Sequence, residues 1–136
     1  VKILRAEVQT FVHATEELEK VLSCLREILP KFTYEVERTE GHFGNPIDIV
    51  RITFQGKKAT ELLLGLIERL SSEEKKQLAF QIEDRLQNGN FYLRLDKMKA
   101  CSGIVSIGEG IQLTFTLTSY PFNRKKIIEE LRQAFS

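Results

Sequence analysis

The chain has 136 residues, of which 42% are hydrophobic and 29% charged, and its net charge is +1. That balance fits one domain with its own core and excludes a wholly disordered chain. Apolar runs are broken by charge every few residues, so neither a membrane-spanning helix nor a secretory signal is expected in this sequence. A charge so near zero excludes nucleic-acid binding driven by bulk charge, so a polyanion must be met by local clusters of cations.

From Lys2 to Val12, Leu4, Ala6, Val8 and Val12 alternate with polar neighbours, which predicts a half-buried strand. Thr15 is the expected N-cap of a helix with Leu18, Val21, Leu22, Leu25 and Leu29 on one face, stopped by Pro30. Two strands follow, one carrying Phe32, Tyr34 and Val36 and one carrying Val50, Ile52 and Phe54, separated by the break from Gly41 to Pro46. Gly56 ends the second, and Leu63, Leu66, Ile67 and Leu70 mark a deeply buried helix. The capping box Ser71-x-x-Glu74 opens the next helix, with Leu78, Ala79, Ile82 and Leu86 inward and Asn88-Gly89-Asn90 as its stop. Strand-like runs at Phe91–Leu95, Ile104–Ile107 and Ile111–Thr118 come next, the last two expected to form a hairpin about Gly108-Glu109-Gly110. A final helix turns Ile127, Ile128, Leu131 and Phe135 inward.

The order βαββααβββα predicts a single α+β domain over 1–136, a two-layer sandwich of mostly antiparallel sheet with helices on one face. The alternation assigns Arg5, Gln9, Phe11, Arg51, Thr53, Tyr92, Arg94, Gln112, Thr114 and Thr116 to the open face. Cys24 and Cys101 lie far apart in sequence, and Cys24 falls on an apolar-periodic helix, so two free thiols are expected.

Charge placement is the feature that points to function. The first and third helices open on acids, Glu16-Glu17 and Glu73-Glu74, as the helix dipole favours. The second and last open on Lys57-Lys58 and Arg124-Lys125-Lys126, where cations cost about 0.3–1 kcal/mol each. Unpaired helix N–H groups joined by such cations suit phosphates, and two such starts suit a polyanion; solvated cations just past strand ends are the alternative reading. The loop GHFGNP at 41–46 offers His42 and Asn45 as hydrogen-bonding groups and Phe43 for stacking, or serves as an ordinary tight connection. Asp96-Lys97-Met98-Lys99 closes a strand with Lys97 and Lys99 available to a phosphate backbone, and Tyr92 and Arg94 stand on the open face.

GHFGNPI at 41–47, followed by a strand and a leucine-rich helix, LRLDK at 93–97, and Tyr120-Pro121 with basic residues before the last helix resemble an archaeal RNA-binding family described as predicted exosome subunits. The resemblance spans the whole chain. It implies a fold like that of the ribosomal large-subunit protein that binds 5S RNA, and a role in RNA processing, degradation or ribosome-related work. His42, Gly44, Asn45, Asp96 and Lys97 carry over as family markers and candidate contacts.

Only His13 and His42 are present, with no CxxC or HxxxH pair, so a metal centre and a cofactor are not expected. No nucleophile elbow or phosphate loop occurs, and the best catalytic set, Glu40, His42 and Asp48 about one magnesium, lacks a second carboxylate pair. The expectation is a non-catalytic RNA-binding protein of the cytoplasm. Its candidate contacts are His42, Phe43, Asn45, Lys57, Lys58, Arg94, Lys97, Lys99, Arg124, Lys125 and Lys126. The alternative is an assembly module that joins a larger RNA-processing complex or a second copy of itself.

Overall fold

The computed structural model describes residues 2–41, 43–117 and 123–136. Alternating apolar and polar residues form β1 (Ile3–Val12), β2 (Glu35–Glu40), β3 (Pro46–Gln55), the two-residue β4 (Leu86–Gln87), β5 (Asn90–Asp96) and β6 (Gly110–Leu117). Apolar residues spaced three and four apart form α1 (Leu18–Ile28), α2 (Lys57–Arg69), α3 (Ser72–Arg85) and α5 (Arg124–Phe135), and α4 is the single turn Lys97–Ala100. The six strands make one sheet in the order β2-β3-β1-β6-β5-β4, with every pairing antiparallel.

One face of that sheet is dry. Val8, Ile52, Leu113 and Leu93 from four adjacent strands are buried beneath Leu22, Leu25, Leu63, Leu66, Ile82 and Leu131 from the helices. Each such side chain contributes about 1.5–3 kcal/mol when removed from water. The other face carries the residues that the alternation assigns to it, in register. Arg51, Gln9, Gln112 and Arg94 form one row. Thr53, Glu7, Thr114 and Tyr92 form the next, and Gln55, Arg5, Thr116 and Asn90 the third. The α+β class and its two layers are therefore as expected, and Ile127, Ile128, Leu131 and Phe135 all point inward.

The departures have local causes. A register shift between Ile3 and Arg5 buries Ile3 and turns Leu4 outward, so the strand's first inward residue is not the expected one. Thr15 does not cap α1; a turn bonds the Glu16 N–H to the His13 carbonyl and the helix starts after Glu17. Asn88 and Gly89 both have positive φ, the requirement of a two-residue hairpin turn, and they join β4 to β5. Residues 104–107 add only the bridge between Leu95 and Ile107, because β6 pairs with β1 and β5 instead of with that run. The glycines of Gly108-Glu109-Gly110 serve close approach: a Cβ on Gly108 would lie 2.7 Å from the Asp96 Cβ, and one on Gly110 2.5 Å from that of Lys97.

The expectation of free thiols is also corrected. Cys24 and Cys101 form a disulfide across 77 residues, because the turn at α4 brings Cys101 against the half-buried flank of α1.

Candidate nucleic-acid interface

The sheet has two ends, and the antiparallel register sorts the candidate residues between them. Arg5 pairs with Gln55 and Thr116, so β1 begins where β3 and β6 finish. Gly56 and α2 follow β3 directly, which puts Lys57 and Lys58 at this end, and the Ile3 N–H bonds the Thr60 hydroxyl of the first helical turn at 3.1 Å. The start of α5 is held at the same end. The Arg124 guanidinium donates to the carbonyls of Leu86 (2.8 Å) and Glu83 (2.9 Å), where α3 passes into β4 beside Asn90. Both basic helix starts thus share one end of the sheet, about 20 Å apart across its strands.

Within that cluster the cations differ. Arg124 is occupied in binding the last carbonyls of α3, a role suited to a charged fork at a helix C-terminus. Lys57, Lys58, Lys125 and Lys126 are exposed, and none has a carboxylate within ion-pair distance among the described residues. Lys2 and Arg5 stand beside them, exposed and likewise without an ion pair among the described residues. Asn123 caps α5 by accepting the Lys126 N–H at 3.2 Å, whereas Gly56 gives α2 no side-chain cap.

The other end holds the remaining candidates. The 41–45 loop joins β2 to β3 through the Gly41 N–H, which donates to the Asn45 carbonyl at 2.7 Å; Gly44 has φ +77° and Phe43 is 86% exposed. His42 lies outside the described residues. Ten residues of β3 separate this loop from Lys57, a distance of about 30 Å. Lys97 is committed inside the fold: its ammonium bonds the Phe11 carbonyl at 2.5 Å and the Glu16 carboxylate at 2.9 Å. Partial burial pushes the Glu16 carboxyl up, but the His13 N–H and Lys97 outweigh it and hold the group below the ordinary glutamate range. Lys99 is exposed. The carboxylate of Asp48, weighed above as part of a magnesium site, is gripped by Arg38 at 2.9 and 3.3 Å, which lowers its pKa.

Between the two ends, Arg94 lies on the open face 3.5 Å from Glu109, and Arg51 pairs with Glu37. Glu37 is therefore not a bare negative charge opposing phosphates on this face. Arg85 was not singled out by the sequence. Its Nε donates to Gln81 at 3.0 Å and its Nη1 to the Tyr92 carbonyl at 3.4 Å, so it meets the open face from the end of α3. Its place in a helix with weak amphipathic pattern concealed it.

RNA-binding protein PAB1135 of Pyrococcus abyssi is 35% identical over 93% of this chain and 89% of its own length. The structure of Mth689, a DUF54 protein from Methanothermobacter thermautotrophicus, superposes with a TM-score of 0.83 at 31% identity, covering 100% of both chains. Protein SSO0741 from Sulfolobus solfataricus shares the fold, with a TM-score of 0.78 at 22% identity over 96% of each chain. A family model described as RNA binding matches residues 5–117, and the chain belongs to that family.

Proposed function

We propose that the protein binds RNA through the end of the sheet where α2 and α5 begin, with Lys57, Lys58, Lys125 and Lys126 neutralising phosphates. The observation that carries this reading is the meeting of two helix starts, each opening on cations, at one end of one sheet. The family's description and the name of the Pyrococcus relative support RNA as the polyanion. In this reading the 41–45 loop, about 30 Å away, makes a second contact instead of joining the same phosphate run. The role is non-catalytic and cytoplasmic, an accessory one in RNA processing or degradation, as for an exosome-related factor, or in ribosome-related work.

The test is fluorescence anisotropy with labelled RNA at low and moderate salt, comparing the parent with Lys57→Gln/Lys58→Gln/Lys125→Gln/Lys126→Gln. Loss of salt-sensitive binding at unchanged Tm is the expected result. Parent-like binding by the variant would remove these lysines from the interface.

A second reading, an assembly module, is favoured by β2. All six of its residues are exposed and its outer edge has no strand partner among the described residues. Light scattering showing a dimer or larger species at micromolar concentration, broken by a proline placed in β2, would move the weight to this reading.

A further inference from the structure

Beside the sheet end just described, a groove runs along β5, bounded by the end of α3 and by residues 107–109. Asp84, Arg85, Tyr92, Arg94, Gly108 and Glu109 are among the residues that line it. It sits on an edge whose backbone is partly occupied. The Tyr92 carbonyl receives Arg85, the Arg94 carbonyl receives the Gly108 N–H at 3.1 Å, and the Asp96 N–H is used by the Ser106 carbonyl. What distinguishes it is side-chain chemistry.

Three features of that chemistry converge. Tyr92 is 41% exposed, faces the small Thr114 across the strand, and meets no other ring among the described residues, so one face of its ring is available for stacking. Among the described residues Arg94 has only the long, solvent-exposed pair with Glu109, which water screens and an anion can displace. Arg85 keeps N–H groups beyond those given to Gln81 and Tyr92 and has no carboxylate within ion-pair distance among the described residues. Two guanidinium groups flanking an open phenol ring match a phosphate joined to a base.

Resting on the RNA-binding reading, we propose that this groove is a nucleotide subsite for single-stranded RNA, with an unpaired base stacked on Tyr92 and its phosphate bridging Arg85 and Arg94. Partial burial, and after it the charge of Arg94, disfavour the charged form of Arg85, a cost that a bridging phosphate relieves. Asp84 and Glu109 accept hydrogen bonds from base N–H groups such as the uracil N3–H and, by repelling further phosphate, limit the groove to one nucleotide. Stacking requires a base freed from a duplex, so the subsite selects single strands. Arg5, in the row next to that of Tyr92, lies between the groove and the lysines of α2 and continues the track to them.

Two variants test it, each with thermal unfolding recorded: Tyr92→Leu, which keeps apolar bulk, and Arg94→Gln. Binding of a ten-nucleotide oligouridylate and of a duplex of equal length is measured by anisotropy, and uridine 5′-monophosphate is titrated by ¹H–¹⁵N NMR. The expected result is a roughly 5- to 150-fold weaker oligouridylate complex for Tyr92→Leu with duplex binding unchanged. Arg94→Gln is expected to flatten the log affinity against log salt slope by about 0.7, one phosphate contact. The mononucleotide should shift the amides of Tyr92, Arg94 and Gly108. If both variants bind oligouridylate like the parent while the four-lysine variant loses binding, the subsite is wrong and the proposed function stands. Tighter binding of the duplex than of the single strand by the parent overturns the subsite alone. A parent that binds none of the three ligands overturns both.

Discussion

Glu74 shows how much one carboxylate can hold. Its Oε1 completes the capping box with Ser71, and its Oε2 accepts from the Ser106 hydroxyl at 2.8 Å and the Ile107 N–H at 2.6 Å. Glu74→Ala removes the carboxylate half of the capping box and leaves those two donors unpaired, a loss of about 2–3 kcal/mol. A fall in Tm of roughly 6–12 °C in a thermal melt is the expected outcome. Partial burial raises the Glu74 pKa, but the Ile107, Ser106 and Ser71 donors outweigh it, so the folded value lies below the ordinary 4.5. Its contribution is therefore complete above that ordinary value and lost as pH falls through the lower folded one. Denaturant melts of parent and Glu74→Gln should converge as the pH drops below 4.5. Arg124 and its neighbours part in the same kind of measurement. Arg124→Gln frees the last carbonyls of α3 and should lower Tm by about 3–5 °C, whereas Lys125→Gln should leave Tm unmoved and weaken RNA binding.

At the scale of elements, the disulfide ties α4 to α1 next to a second tie, Lys97 to Glu16 and Phe11. A link spanning 77 residues restricts the unfolded chain, and about 2–4 kcal/mol of stability follows. Reduction should lower Tm by roughly 6–15 °C. Because Lys97 still anchors the turn, the near-native amide spectrum should persist below that lower Tm, with faster hydrogen exchange confined to residues 97–103. Wholesale loss of amide dispersion on reduction at 25 °C would show that the disulfide, not the lysine, positions α4. The Arg69 guanidinium adds a similar brace between helices, donating to the carbonyls of Glu27 (3.2 Å) and Gly103 (2.6 Å).

For the whole molecule, the charge that matters is its distribution. Net charge is +1, yet exposed lysines without an ion pair among the described residues gather where α2 and α5 begin, while the acids Glu35, Glu37 and Glu40 lie on the edge strand β2. Such local clustering orients a polyanion without making the protein a general polyanion binder. Affinity for single-stranded RNA should fall with salt at a slope near −0.7 per neutralised phosphate, so the four-lysine variant should lose up to about three units of slope. A slope unchanged by that variant would place the phosphate contacts elsewhere.

Period-two and period-3.6 patterns in the sequence determined the two layers, most of the inward residues of the long helices, and the rows of the open face, because burial acts on each residue through spacing that is local. The capping box at Ser71 and Glu74 was legible for the same reason. Tertiary structure alone decided what joined distant residues. It paired Cys24 with Cys101, gave Lys97 to Glu16, set Arg124 on the carbonyls of α3, and brought Arg85 to Tyr92. It also decided that the two basic helix starts share an end while the 41–45 loop lies at the other, since strand order and register, not spacing along the chain, fix which ends of a sheet coincide.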